Sequence, residues 1–226
     1  SADNTISKLF AAYTKRLRDE VGSKFQTVIH DTDSDYEGII SVKNDVIGAD
    51  KQSLVYWVAG AEASCEVNKS LTNAKYDGEY VVDVNFKQSE LETAIKKGKF
   101  TLHNVSGEVR VLEDINSLVT LVDDKGELFQ SNQTIRVIDQ IANDITALFT
   151  TRYLGTVAND SAGRISLWND ICKIHQELEK LRAIENFDTK SVEVVQGDDK
   201  KSVLCTINGV NIISAMTKLY MNVIIA

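Results

Sequence analysis

Apolar positions in the first stretch of the chain, Ile6, Leu9, Phe10, Tyr13 and Leu17, recur at helical spacing and predict a helix over residues 5–21, with Gly22 as its stop. Residues 25–30 and 36–42 read as buried strands. Residues 52–63 read as a helix whose Ala59-Gly60-Ala61 run would allow close packing. A short strand at 79–83, a helix at 89–97 ended by Gly98, and strands at 100–105 and 108–112 follow. Such alternation is the pattern of helices laid against a sheet. The polar run Asp123-Asp124-Lys125-Gly126-Glu127 then breaks the texture and divides the chain into 1–122 and 123–226. Two long helices are expected next. The first covers 132–153, capped by Ser131, with Ile138, Ile141, Ile145, Leu148 and Phe149 on one face and Gly155 at its end. The second begins near Ser161 and steps by four and three through Leu167, Ile171, Ile174, Leu178 and Leu181, a seam that pairs the helices as a hairpin. Beyond Asn186 the period falls to two, at 191–195 and 202–208 around a Gly197-Asp198-Asp199 turn, and again at 217–226. The fold class expected is α+β.

The last of these segments is the most informative. Leu219, Met221, Val223 and Ile225 form one apolar face, alternating with Tyr220, Asn222 and Ile224. At ~3.4 Å per residue such a strand reaches about 34 Å. It must pair within its own domain or join the edge of another subunit's sheet, because a bare edge is an aggregation hazard. Burying its four facing side chains stabilises by roughly 1.5–3 kcal/mol each as an upper bound, enough for an anchor.

Size and charge narrow the class. A chain of 226 residues with 43% apolar content is an ordinary globular protein that buries roughly 70% of its unfolded surface. A formal net charge of -8 with no basic stripe argues against a nucleic-acid partner. Cys65, Cys172 and Cys205 are odd in number, widely spaced and without zinc-ligand spacing, so they read as reduced core thiols of a cytoplasmic product. On that reading the four glycosylation-like sites at Asn68, Asn104, Asn132 and Asn159 are incidental. The polar start is unlike a signal peptide, and no run of about 18 apolar residues favours a membrane span. The missing initiator Met and the immediate helix read as those of a fragment. Proline is absent, where average usage of ~5% gives about eleven; no physical reason for this is evident.

Catalytic and ligand chemistry is hard to find. Asp31, Asp33 and Asp35 imitate the start of a calcium loop, but Tyr36 and Val42 occupy the positions that need a glycine and a bidentate carboxylate. His30, His103 and His175 have no ligand-spaced partner, and His175 at the helix seam reads as a packed polar residue. No G-x-S-x-G or G-x-x-x-x-G-K-[ST] string occurs, and Asp123/Asp124 and Asp198/Asp199 read as solvated turns. No catalytic, cofactor or metal residues are therefore assigned. The alternative reading is an intracellular α/β hydrolase or transferase with an unrecognised site.

Longer strings carry a resemblance. Trp57-Val58-Ala59-Gly60-Ala61, Val67-Asn68-Lys69-Ser70 and Tyr76-Asp77-Gly78-Glu79 are followed by residues 100–103, 109–116 and 132–141. Gly163-Arg164-Ile165-Ser166-Leu167-Trp168-Asn169-Asp170, residues 181–187 and Leu219-Tyr220-Met221 complete the set. In that order they resemble the contractile tail sheath proteins of Gram-positive myophages, phage-like elements and R-type bacteriocins. The match runs from Trp57 onward and corresponds to the C-terminal half of a sheath subunit, so the family's N-terminal domains and arm are expected to be absent here. The resemblance implies that 1–122 is the C-terminal part of a subtilisin-like α/β sheath domain without protease activity. It implies that 123–226 is the C-terminal sheath domain, a long helix hairpin with a small β-sheet. It further implies a structural subunit that polymerises helically around an inner tube and contracts without nucleotide, in a virion tail or bacteriocin particle assembled in the host cytoplasm. Expected partners are other copies of the chain, the inner tube protein, the baseplate and the tail terminator, with no cofactor, nucleic acid or membrane. The inter-subunit strand is assigned to Leu219, Tyr220, Met221, Asn222, Val223, Ile224 and Ile225. Exposed charges on the hairpin, Arg136, Arg152, Arg164 and Lys173, are candidate lateral contacts.

Overall fold

In this computed structural model, which describes residues 4–224, helix α1 (Asn4–Arg16) runs on as a π-helical turn (Leu17–Val21). It stops at Gly22, whose φ of +85° suits glycine and whose N–H donates to Leu17 O. Next come β1 (Thr27–His30), β2 (Ile39–Val42), β3 (Val46–Ile47), α2 (Leu54–Ser64), β4 (Val81–Val82), α3 (Gln88–Lys96), β5 (Lys99–Val105) and β6 (Glu108–Glu113). One sheet has the order β1-β2-β5-β6, with the first three strands parallel and β5-β6 an antiparallel hairpin. β3 and β4 form a separate antiparallel pair. All four residues of β2 are buried, because strands flank both its edges and helices cover both its faces. On one face α1 places Ala11 against Ile29, Tyr36 and Ile39. On the other, Leu54 and Val58 of α2 pack with Ile40, Val42, Phe100 and Leu102.

After a 3-10 turn (Glu127–Gln130) come α4 (Asn132–Leu148), extended by a π-helical turn (Phe149–Tyr153), and α5 (Ser161–Lys180). Ser131 caps α4 by accepting from Thr134 N–H, and Asp160 caps α5 by accepting from Gly163 N–H. Position 163 must be glycine, since a Cβ there would lie 2.0 Å from Ala158 O. β7 (Ile184–Glu185), β8 (Val192–Gln196), β9 (Val203–Ile207) and β10 (Asn211–Ile212) form two antiparallel pairs, β8-β9 and β10-β7. The apolar seam buries Val137, Ile141, Leu178, Ala183 and Ile184, and then Tyr153, Leu167, Ile171, Cys172 and Val192.

Several expectations need correction. The Ala59-Gly60 stretch is exposed, with nothing within 4 Å of a Cβ built on Gly60, so no close packing occurs there. Leu181 is 53% exposed because α5 ends one residue before it. Residues 217–224 form no strand within the chain, whereas β3, β7 and β10 are short strands the periodicity did not predict. Ile225, like Ala226, lies outside the described residues.

Helix α1 is inverted relative to an ordinary surface helix. Thr14, 1% exposed, and Arg18, 5% exposed, face inward with Ala11, while Ile6, Leu9, Phe10 and Tyr13 form an exposed stripe. Polar locks fix this orientation: Thr14 Oγ1 lies 2.7 Å from Thr27 Oγ1, Arg18 donates to both carboxylate oxygens of Asp139 at 2.6 and 2.8 Å, and Tyr36 donates to Asp19.

Candidate assembly surface

The chain's last fixed point is a side-chain clamp. Ile213 N–H donates to Ala183 O at 3.0 Å, Gln133 Nε2 donates to Ile213 O at 3.1 Å, and Ala215 N–H donates to Gln133 Oε1 at 3.0 Å. Gln133 itself is 3% exposed. Past this clamp the tail leaves the body, and among the described residues 216–224 make no hydrogen bond. Leu219 is 86% exposed, Tyr220 90%, Met221 75%, Val223 73% and Ile224 93%, with Asn222 exposed between them. The segment is thus an exposed row of large apolar side chains whose main-chain groups have no hydrogen-bond partner among the described residues.

The β8-β9 hairpin is a two-stranded pair with a free outer edge on β9. Asn208 N–H donates to Ser191 O and Gly197 N–H to Ser202 O, which marks these as mutually bonded pairs. By antiparallel alternation, Val192, Val194 and Gln196 on β8 and Val203, Cys205 and Ile207 on β9 turn their main-chain groups outward. Trp168 Nε1 donates to Val192 O at 2.9 Å and so occupies part of the β8 side. The outward groups of Val203, Cys205 and Ile207 have no hydrogen-bond partner among the described residues. Beside this edge is a groove of about 90 Å³ lined by Phe149, Tyr153, Leu154, Val157, Leu167 and Val203.

The four hairpin charges behave differently from one another. Arg152 and Lys173 are exposed and both engage Asp170, at 3.1 and 2.9 Å, while Tyr153 donates to the same carboxylate at 2.8 Å. The Lys173 and Tyr153 hydrogen bonds hold Asp170 below the usual carboxylate range. Arg164 is half-buried and donates to Asn159 O and Oδ1, bracing the start of α5. Arg136 corrects the expectation of exposure. Its side chain is 14% exposed and points between α2 and the segment after β6, 2.6 Å from Glu62, because the first turns of α4 are enclosed on every side.

A family model described as the phage tail sheath protein central domain matches residues 1–117, and one described as the phage tail sheath C-terminal domain matches residues 124–226. The chain belongs to the phage tail sheath family. Among the relatives of this sheath chain is the phage-like element PBSX protein XkdK of Bacillus subtilis, 33% identical over 96% of the chain and 50% of the relative. The solved sheath tail protein of Desulfitobacterium hafniense shares 32% identity at a TM-score of 0.83, covering 98% of this chain and 53% of that one. The sheath tail protein from Listeria innocua gives 29% identity and a TM-score of 0.86 with the same coverages. The sheath chain thus spans about half the length of these relatives.

The residues that suggested chemistry are engaged elsewhere. Asp31 and Asp33 hold the buried Lys99, at 3.3 and 2.7 Å, and Asp31 also takes Lys43 at 2.7 Å. Asp35 accepts from the N–H groups of Val119 and Thr120. His30 Nε2 lies 3.0 Å from Asp45. His175 is fully buried, with Nδ1 2.9 Å from Ile171 O and its ring stacked on Phe187 at 4.9 Å, a packed polar residue as expected. Burial lowers the pKa of His103. Among the described residues no group of three or more His, Cys, Asp or Glu is placed to hold a metal, and no helix is long and apolar enough to cross a membrane. Sequence reasoning missed Gln133, which reads as one more polar residue near a cap.

Proposed function

We propose that this chain is a non-enzymatic structural part of a contractile tail sheath, a particle-tail component that polymerises helically around an inner tube and contracts to drive it through a cell envelope. Its partners are other copies of itself, the inner tube protein, the baseplate and the tail terminator, and it assembles in the host cytoplasm. The domain division at 122/123 separates a sheet-bearing unit from the hairpin unit that presents the tail. One observation carries the reading: an apolar, unpaired tail and an unpaired β9 edge coexist in a member of the sheath family.

Leu219 to Ile225 of one copy add as a strand along Val203–Ile207 of the next, as extended segments do at exposed sheet edges. Each main-chain hydrogen bond contributes a net ~0.5–1.5 kcal/mol, and several in a row make a hinge that bends without parting. Alternate tail side chains settle against the groove at Leu154 and Val157. Contraction then needs no nucleotide, because two lattice packings of nearly rigid bodies differ in contact free energy. Arg152 and Lys173, and more weakly Arg164, are the lateral contacts in this scheme. Electron microscopy of the protein with and without residues 217–226 tests it: intact protein gives tubes or helical polymers, and the truncated one gives folded discrete particles. Normal tubes from the truncated protein refute strand donation, and discrete particles from both refute polymerisation by this chain.

A further inference from the structure

Two carboxyl groups face one guanidinium where the sheet unit meets α4. Arg136 Nη2 lies 2.6 Å from Glu62 Oε2 on α2 and 3.6 Å from Asp114 Oδ2 after β6, and Arg136 Nη1 donates to Lys69 O at 2.8 Å. Asn132 Nδ2 donates to Glu62 Oε1 at 3.1 Å and to Asp114 Oδ1 at 2.9 Å. The side chains of Glu62, Asp114 and Arg136 are 9%, 1% and 14% exposed. Asp114 also accepts from Leu71 N–H and the Ser70 hydroxyl.

The other charged and titratable groups around Glu62 do not neutralise it. Glu66 and Lys69 pair with each other, Asp139 is taken by Arg18, and Lys24 donates to Arg18 O at the mouth of the same cleft. The Cys65 thiol is pushed up, chiefly by burial. One guanidinium cannot balance two buried carboxylates, and an uncompensated buried charge is strongly destabilising.

We infer that Glu62 carries a proton at neutral pH, and that this proton belongs to the joint between the sheet unit and α4, so that its loss in alkali loosens α4 from α2. Burial, then the charge of Asp114, drives Glu62 well above the usual carboxylate range. An acid raised on folding stabilises the fold fully below its unfolded value, and that stability is lost as pH rises through the folded value. The stability this proton contributes is therefore greatest in acid, declines as pH rises above the unfolded glutamate range of about 4.3, and is gone above the folded value.

Carbon-detected NMR of the glutamate carboxyls, titrated from about pH 5 to about pH 9 beside thermal unfolding, tests this. One glutamate should remain protonated at neutrality and vanish from the spectrum of E62Q. E62Q should also flatten the alkaline loss of Tm and raise Tm by about 2–4 °C at the alkaline end. D114N should bring the Glu62 titration back toward the ordinary range. Ordinary titration of every glutamate in the unaltered chain, or parallel Tm curves for it and E62Q, overturns the inference. The spectrum of the unaltered chain decides by itself if a variant does not fold.

Discussion

Strand β2 and the tail are built from the same kind of residue and meet opposite fates. Ile39, Ile40, Ser41 and Val42 are wholly buried, while Leu219, Met221 and Val223 stand at least 73% exposed. Composition does not separate them; neighbours do. β2 has β1 and β5 on its edges and helices over its faces, whereas the tail has only the Gln133 clamp at its root. The difference shows where the chain's own stability ends and where an assembly contact has room to begin.

One substitution made in both places breaks the comparison most sharply. Val42→Asp places an unpaired carboxylate in the core and should cost about 4 kcal/mol or more, measured by denaturant unfolding. Met221→Asp should change unfolding by less than about 0.5 kcal/mol yet stop polymerisation in light scattering. A smaller effect is expected at the boundary between the regions: Gln133→Ala strands Ile213 O and Ala215 N–H, costing about 1–2 kcal/mol and raising amide exchange at Ala215. In the sheet unit, burial tends to raise Asp31, but Lys43 and Lys99 bring it below its usual range, and the Lys99 hydrogen bond does the same for Asp33. Carboxylates lowered on folding contribute stability that is lost as pH falls through their folded range, below about 3.9. Acid unfolding should therefore steepen there, and Lys99→Met should remove the Asp33 part of that pH dependence and reduce the Asp31 part, which Lys43 still supports. Smallest of all, charge reversal at Arg152 or Lys173 should shift stability by no more than about 0.5 kcal/mol, since both lie at solvent.

Much of the fold was legible wherever period and punctuation agreed. The 3.6 period with Gly22 marked α1, and Ser131 marked α4. The steps from Leu167 to Leu178 marked the seam, since Ile174 and Leu178 pack with Val137 and Ile141 while Leu167 and Ile171 pack with Tyr153 in a second cluster. Strand ends were less legible, because two-residue pairs such as β10-β7 depend on what lies opposite rather than on local pattern. The orientation of α1 was hidden for a related reason: Thr14 and Arg18 reach partners, Thr27 and Asp139, that are distant or non-periodic in sequence. Arg136 was misread as a surface charge because its counter-charges sit on α2 and after β6, some 70 and 20 positions away. The tail's alternation was plain in the sequence, but no local pattern says that the segment lies unpaired against its own fold.

Hydrogen exchange on dilute chain and on assembled polymer addresses strand donation most directly. The account predicts that the amides of residues 217–224, and those of Val203, Cys205 and Ile207, exchange freely in dilute chain and become protected together on assembly. Polymer in which either set still exchanges freely, or dilute chain in which the tail is already protected, contradicts it.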